Sequence, residues 1–425
     1  MMKTAIVAGC RTPFTRAGTV LKELTAIDLG RIAVREVLAR ADVPADVVDH
    51  LVFGTVVHDP RAPNIAREVG LGVLPVTVPG STVSMACASA NRAITDAVGL
   101  IEGGQAQVVV AGGADSLSHI PIMVSDPLAD TLVTASKAKT LKERMGAFAG
   151  IRPGHLVPQQ PQIAEPSTGE TMGAAAERMA KENRISREAQ DAWALRSHRR
   201  AHAGLEDGRL TAEIAPVYPP PRYDQVVERD NGVRSDTSLE ALAGLKPAFD
   251  RAHGSVTAGN ASPITDGGAA VVLMSEKAAK SHGVEPLAYI RSFAITALDP
   301  AGQLLQGPAY AAPIALDRAG ISMDDVDLME MHEAFAAQVL SNLQALDSKT
   351  FAQEELGRSK KVGHPELGQI NVMGGSIALG HPFGATGARL TTTLARELIR
   401  LDGEFGLLTV CAAGGMGFAM VIQRA

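Results

Sequence analysis

Two cysteines and two histidines, set among small residues, are the side chains of this 425-residue chain best suited to covalent chemistry. Cys87 lies in STVSMACASANRA, residues 81–93. Ala90, Ile94, Ala97, Val98 and Ile101 follow at intervals of three and four. That spacing predicts a helix with one buried face, starting just after the cysteine and ending near Gly103-Gly104. A thiol at a helix start is favoured as thiolate by unpaired backbone N–H groups and the helix dipole. Ala86, Ala88 and Ser89 leave the sulfur open to a bulky electrophile. The competing reading of this stretch alone is a buried structural thiol, because free cysteine is among the most buried residue types.

Four more stretches place reactive types among glycines. VTAGNASPITDGG (256–268) offers Asn260, Ser262 and Asp266, and MHEAFA (331–336) puts His332 and Glu333 at the end of the predicted strand DLMEM. GGSIALGHPFGATGAR (374–389) puts His381 at a predicted helix start, and CAAGGMG (411–417) puts Cys411 at a strand end, before glycines that expose backbone N–H groups. Any one of these would read as structural. Their recurrence at strand ends of a repeated fold favours chemistry.

The repeat is what must position them. RADVPADVVDHLVFG (40–54) matches RAGISMDDVDLMEMH (318–332), pairing Arg40 with Arg318, Ala41 with Ala319, Val48 with Val326 and Asp49 with Asp327. ASANRA followed by VVVAGG is answered later by ATGARL followed by LLTVCAAGG (407–415). Two similar α/β halves about a pseudo-twofold axis are therefore expected. Strands at 3–10, HLVFGTVV (50–57) and AQVVVAGG (106–113), alternating with helices such as that carrying Leu29, Ile32, Ala33 and Val37, predict a largely parallel sheet covered on both faces. An insertion from about 118 to 250 interrupts the repeat. It carries the helical piece KAKTLKERMGAF (137–148), a helix opened by Ser186 and running towards Gly204, and the break Pro219-Pro220-Pro221. Insertions on a rigid scaffold are where binding determinants sit, with a solvated polar cover as the alternative.

Composition narrows the class. With 46% hydrophobic and 20% charged residues the chain can bury more than one packed unit. A net charge of −6 argues against broad nucleic-acid binding. Cys10, Cys87 and Cys411 lie far apart, without a CxxC, so neither a disulfide framework nor a sequence-local zinc pattern is expected. The first residues run straight into a strand, and no run approaches the roughly 18 apolar residues of a membrane span, so a cytoplasmic location is expected.

On CRTPF, APNIARE (62–68), AGGADS (111–116), LKPAFDR (245–251), GHPFGATGAR and CAAGGMG, the chain resembles the thiolase family. It is most similar to the 3-ketoacyl-CoA (acetyl-CoA acyltransferase) branch of fatty-acid oxidation complexes. The resemblance implies a duplicated βαβαβαββ fold, five-layered α-β-α-β-α, with an inserted loop domain. Residues 1–117 and 251–278 would form the first half, 118–250 the loop domain that binds CoA and the acyl chain, and 279–425 the second half.

The implied reaction is CoA-dependent cleavage of a 3-ketoacyl-CoA to acetyl-CoA and a shortened acyl-CoA. Cys87 would hold the acyl group, His381 would take the thiol proton, and Cys411 would be the second acid/base. That last role suits the chemistry. A thioester α-proton is weakly acidic, and a thiol with a reference pKa near about 8.5 matches it better than a carboxylate near about 4. By the same resemblance His332 and His381 form one oxyanion hole, the backbone N–H groups of Cys87 and Ala413 form the other, and Glu333 orients its neighbours. Arg234 would meet the CoA nucleotide, Phe249, Ala258 and Ser262 the pantetheine, and Met172 and Phe335 the acyl end, with core packing as the alternative for the two phenylalanines.

The sequence also departs from the family's pattern. Many thiolases have asparagine where this chain has His332 and glycine where it has Ala413. Short-chain biosynthetic members have histidine where it has Thr171, which counts against an acetoacetyl-CoA-forming enzyme. No tightly bound cofactor and no metal is implied, with CoA and acyl-CoA as substrates. The expected partners are a second copy or a dimer of dimers, and a hydratase/dehydrogenase subunit. The basic piece 137–148 is a candidate contact for that subunit or for a membrane surface. The competing functions are a decarboxylating ketoacyl synthase, which has no use for Cys411, and a catalytically silent lipid carrier or scaffold, which has no use for any of these residues.

Overall fold

The first strand, β1 (Thr4–Arg11), is buried at every position, as a strand covered on both faces must be. In the computed structural model, which describes residues 3–159 and 163–425, it is followed by β2 (Thr15–Arg16), α1 (Ala26–Ala41), β3 (His50–Gly54), α2 (Ile65–Leu71), β4 (Gly80–Val83), α3 (Ser89–Glu102) and β5 (Val108–Asp115). The expected first half and insertion thus include residues 1, 2 and 160–162, which lie outside the described residues. The inserted segment supplies α4 (Asp126–Lys137), α5 (Leu141–Ala147), α6 (Met172–Glu182), α7 (Arg187–Glu206) and α8 (Leu239–Ala243). β6 (Thr265–Ser275) returns the chain to the sheet, before α9 (Glu276–His282). Then come β7 (Ala288–Ala297), α10 (Gly307–Ala319), β8 (Leu328–Met331), α11 (Ala336–Leu346), α12 (Lys349–Glu354), α13 (Ser376–Leu379), α14 (Thr386–Arg400), β9 (Phe405–Ala412) and β10 (Met416–Arg424).

The strand order is β4-β3-β5-β6-β1-β7-β10-β9-β8. Read outward from the β1–β7 junction, β1-β6-β5-β3 is repeated as β7-β10-β9-β8. A bridge between Met329 and Ile370 stands beside β8 where β4 stands beside β3. Among the described strand pairs, β3–β4, β3–β5 and β8–β9 are parallel. The remaining pairs, β1–β6, β1–β7, β2–β6, β5–β6, β7–β10 and β9–β10, are antiparallel, so the expected largely parallel sheet is instead mixed. The reason is visible at residues 413–415: a connection that short joins only antiparallel neighbours, whereas a parallel pair needs a crossover.

Between the halves, α3 and α14 pack together, and Ile94, Ala97, Leu390 and Leu394 share one core with Val109, Val271, Leu408 and Phe418 of the strands. The outer face of the first half is covered by α1, through Val34 and Val37 against Phe53 and Val110. Helices α10 and α11 cover the second half, through Leu316 and Val339 against Met331 and Val421. Layers alternate α-β-α-β-α, as the resemblance implied. No described helix is long and apolar enough to cross a membrane.

The sequence repeat has a physical cause. The Asp49 carboxylate accepts from the backbone N–H groups of Gln107 and Val108, at 2.6 and 3.0 Å. Asp327 accepts from those of Glu404 and Phe405 at the same two distances. Each aspartate therefore fixes the start of the neighbouring strand. Two predicted elements end differently. The strand expected over 50–57 stops at Gly54, because Thr55, Val56 and Val57 turn to hydrogen-bond Asp115. The helical piece expected over 137–148 is divided: α4 ends at Lys137, and Thr140 with Glu143 forms the capping box that starts α5.

Replacing Asp327 by Ala strands two strand-initiating N–H groups, and Asp49→Ala does the same in the other half. Each is expected to destabilise the fold by about 1–3 kcal/mol, read from the urea unfolding midpoint. An unchanged midpoint in both variants would remove this account of the repeat.

Candidate active site

Cys87 stands in the turn between β4 and α3, directly ahead of the helix cap at Ala88, so α3 begins just after the cysteine and ends at Gly103, as its spacing predicts. Ala86 takes a left-handed φ of 45°, a conformation that is costly for a residue with a Cβ and typical of functional turns. Ser89 pins the turn, its Oγ accepting from Met85 N at 2.8 Å and donating to Ala86 O at 2.7 Å. The half-buried sulfur lies near the backbone N–H groups of Cys87 and Ala413, which favour its ionised form. Burial nevertheless pushes the thiol up to about 12. Desolvation thus opposes the thiolate expected from helix-end electrostatics, and outweighs the N–H groups.

His332 follows β8 directly. His381 lies in the turn after α13, five residues before α14, rather than at a helix start, because Gly380, with φ 106°, ends α13 first. That turn is anchored by His381 N donating to Pro263 O at 3.2 Å. The two imidazoles are 4.1 Å apart between ring centroids. Their nitrogens and the Cys87 sulfur supply three ligand-type atoms that all lie within 4.8 Å of one another. Among the described residues, neither histidine's Nε2 has a hydrogen-bond partner, although both are buried. Orphaned buried polar atoms are rare and call for a ligand or a reaction. The trio has the donor types of a metal site, but a metal held there would occupy the sulfur that covalent chemistry needs.

The bonding pattern assigns the His381 proton. Thr386 Oγ1 has one hydrogen, which it donates to Pro382 O at 3.1 Å. It therefore accepts at 2.6 Å from His381 Nδ1–H, which leaves the lone pair on Nε2. Burial, then the Arg389 charge, lowers His381 to about 3. Burial, then His381 and Arg389, holds His332 well below the usual histidine range. Cys411, the penultimate residue of β9, packs with Ala334, Ala337, Met172 and Phe335. Burial raises it well above an ordinary thiol, and the nearby Cys87 adds to that.

The other expected residues divide. Ser262 N donates to Ala334 O at 2.9 Å, and Phe249 meets Phe335 edge-on at 6.1 Å. Met172 and Ala413 line an apolar cavity of about 380 Å³ with Val56, Ile163 and Phe383. Ala258 is exposed beside Gly259. Arg234 is exposed too, its backbone N–H bonded to His198 Nδ1 at 3.2 Å. Thr171 caps α6 through Ala174 N. Asn260 and Asp266 are structural: Asn260 accepts from Thr257 N and donates to Asp191, and Asp266 accepts from Ser118 N.

Sequence reasoning missed Ser376, Thr386, Asn371, Arg389 and Glu330. Ser376 bonds His332 Nδ1 at 3.0 Å, and Asn371 bridges Met331 to Glu333. The available signal was symmetry, since Ser376 and Thr386 flank His381 by five residues on each side.

Comparison with known proteins supplies the context for this geometry. The family description "Thiolase, N-terminal domain" matches residues 4–277, and "Thiolase, C-terminal domain" matches 284–424. The chain is 50% identical over 422 residues to a 3-ketoacyl-CoA thiolase of Klebsiella pneumoniae, covering 99% of this chain and 97% of that one. Human mitochondrial 3-ketoacyl-CoA thiolase, solved in complex with CoA, superposes with a TM-score of 0.84 at 32% identity, covering 100% of this chain and 98% of the other. Acetyl-CoA acetyltransferase of Bacillus anthracis superposes at 0.85 with 33% identity, covering 100% and 99%. A duplicated fold that closes a cysteine onto two histidines, with both family domains matched end to end, means that the chain belongs to the thiolase family.

Proposed function

We propose that the protein cleaves 3-ketoacyl-CoA with CoA, through an acyl-Cys87 intermediate. The observation that carries this reading is the pair of unpartnered Nε2 atoms beside the Cys87 sulfur. His381 Nε2 takes the Cys87 proton as the sulfur attacks the C3 carbonyl carbon. The alkoxide so formed is met by the Cys87 and Ala413 N–H groups. Its collapse breaks the C2–C3 bond, and the electron pair becomes the enolate of acetyl-CoA. That oxygen is met by His332 and by His381, whose Nε2 now carries a proton. Cys411 protonates C2 and releases acetyl-CoA. The incoming CoA thiol then gives its proton to the Cys411 thiolate and attacks the acyl-Cys87 carbonyl, and the freed Cys87 sulfur takes its proton back from His381.

The substrate follows from similarity and shape. The relative from Klebsiella is named for 3-ketoacyl-CoA, and an apolar cavity bounded by Met172 and Ala413 suits an acyl chain. Phe249, Ala258 and Ser262 would line the pantetheine path, Phe335 the acyl end, and Arg234 the nucleotide, within a loop domain spanning 118–250. An acetoacetyl-CoA-forming enzyme is the second reading, since the Bacillus acetyltransferase shares the fold equally well. Thr171, a helix cap that cannot take a proton at neutral pH, weighs against it. We place the enzyme in the cytoplasm as a homodimer or dimer of dimers. The exposed apolar residues Leu132, Val133, Leu141 and Met145 on α4 and α5 support contact with a hydratase/dehydrogenase subunit there.

Mixing the enzyme with a 3-ketoacyl-CoA is expected to leave an acyl mass on Cys87. Absence of that adduct would favour the silent carrier. Cys411→Ala is expected to lower thiolysis about 10²- to 10⁴-fold, and full activity would overturn its assignment. Because burial raises the Cys87 thiol and lowers His381, the resting pair is neutral. Alkylation of Cys87 by iodoacetamide should therefore keep rising from about pH 6 to about pH 9, whereas a plateau at neutral pH would reveal a thiolate–imidazolium pair.

A further inference from the structure

Behind His332 lies a run of buried polar groups that the steps above do not use. Glu330 on β8, Arg389 on α14, Ser376 at the start of α13 and His332 are each at most 2% exposed. Arg389 Nη1 reaches Glu330 Oε2 at 3.4 Å, and its Nη2 donates to Ser376 Oγ at 3.1 Å. Ser376 Oγ in turn lies 3.0 Å from His332 Nδ1. Three elements thus converge on one imidazole nitrogen. It is the nitrogen on the far side of the ring from the unpartnered Nε2.

The proton count along this run has one solution. Guanidinium donates and never accepts, so the Arg389 bond occupies a lone pair of the Ser376 hydroxyl. The remaining hydroxyl hydrogen needs an acceptor, and among the described residues the one within reach is His332 Nδ1. An imidazole that accepts at Nδ1 must carry its hydrogen on Nε2. At His381 the order is reversed: Thr386 has already donated to Pro382 O, so Nδ1 holds the hydrogen and Nε2 the lone pair. Two adjacent imidazoles are therefore held in opposite tautomers by two hydroxyls with opposite commitments.

We propose that Arg389, held by Glu330, is a positioning residue that acts through Ser376 to fix His332 as an Nε2–H donor, so that this ring stabilises a developing oxyanion and does not compete with His381 for the Cys87 proton. The need is chemical. An asparagine at position 332 would donate through its amide whatever surrounded it, whereas an imidazole donates from Nε2 only in one tautomer. A buried arginine that served only to neutralise Glu330 would aim both forks of its guanidinium at the carboxylate. Here one fork is turned to a hydroxyl instead. The same positive charge, after burial, keeps both rings neutral, which preserves the tautomer difference.

The inference rests on the thiolytic reading for its activity readout and on a spectrum for its own. In the ¹⁵N spectrum of histidine-labelled enzyme, His332 should show its proton on Nε2 and His381 on Nδ1. In Ser376→Ala the His332 resonances should move towards a tautomer mixture. With it, kcat should fall on the order of 10²-fold, as on loss of one oxyanion donor, with KM within about twofold. Ser376→Thr, which keeps the hydroxyl, should recover most of the loss. Arg389→Lys should reproduce the alanine phenotype. A wild-type spectrum with the His332 proton on Nδ1, or Ser376→Ala with unaltered kcat, would overturn the proposal. Retention of thiolysis by Cys87→Ala would instead overturn the function itself and leave the tautomer assignment standing.

Discussion

Asp115 closes the two halves of the chain onto each other, and the site depends on that closure. From the end of β5 its carboxylate takes the Thr55 hydroxyl at 2.9 Å and Val57 N at 2.8 Å in the first half, and Gly384 N at 2.6 Å in the second. Gly384 is three residues beyond His381, so the bond draws the histidine's turn to the sheet end that also carries the Cys87 turn. The approach leaves no room for side chains: a Cβ on Gly113 would lie 2.0 Å from the Gly384 carbonyl oxygen. Burial raises Asp115 above the usual carboxylate range, and the N–H and hydroxyl bonds oppose that. A buried carboxylate is tolerated when its acceptors are this fully used, so the same bonds that close the halves keep the closing charge in place.

Closure also sets the electrostatics. Burial moves each reactive group away from its charged form, raising Cys87 and Cys411 and lowering His332 and His381. The resting site is thus uncharged at its centre, and negative charge arises only as bonds change. Fixed N–H dipoles aimed at where that charge develops then act in a medium that screens them little. A preformed thiolate would stabilise the starting state instead, which lends the neutral resting pair its advantage.

Legibility in the sequence followed the range of the interaction responsible. Helix α3 was readable because its core face repeats along one short window, and the Asp49/Asp327 match because one local job is done twice. Cys87, His332, His381 and Cys411 stood out by type and by their glycine-rich settings. What could not be read were groups whose partners are distant: Arg389 finds Glu330 across 59 residues. In a single sequence nothing distinguishes Arg389 on α14 from a surface arginine. The antiparallel strands were missed for a related reason, since β6 reaches its place only after the whole insertion.

The insertion is best understood through what it grips. Glu165 accepts from Gly414 N at 2.7 Å, in the turn that offers Ala413 N–H to Cys87. Ser197 accepts from Gly375 N at 3.0 Å, next to Ser376. Trp193 Nε1 and the Ser197 hydroxyl both donate to Glu333, beside His332. Asp191 accepts from Asn260, and Glu177 from Ser255 N and Val256 N, which fixes the segment leading to Ser262. The loops that carry Ala413 and His332, the start of α13 and the segment 255–262 are thus each held by a side chain of the insertion, whereas the His381 turn is held by Pro263 and Asp115. A mere cover would meet those loops with apolar contacts or water. Directed, buried polar bonds fix orientation as well as position, and the oxyanion donors need orientation above all. The segment that interrupts the repeat is therefore a brace for the chemistry as much as a wall for the substrate, which accounts for its buried polar residues lying on the side facing the two halves.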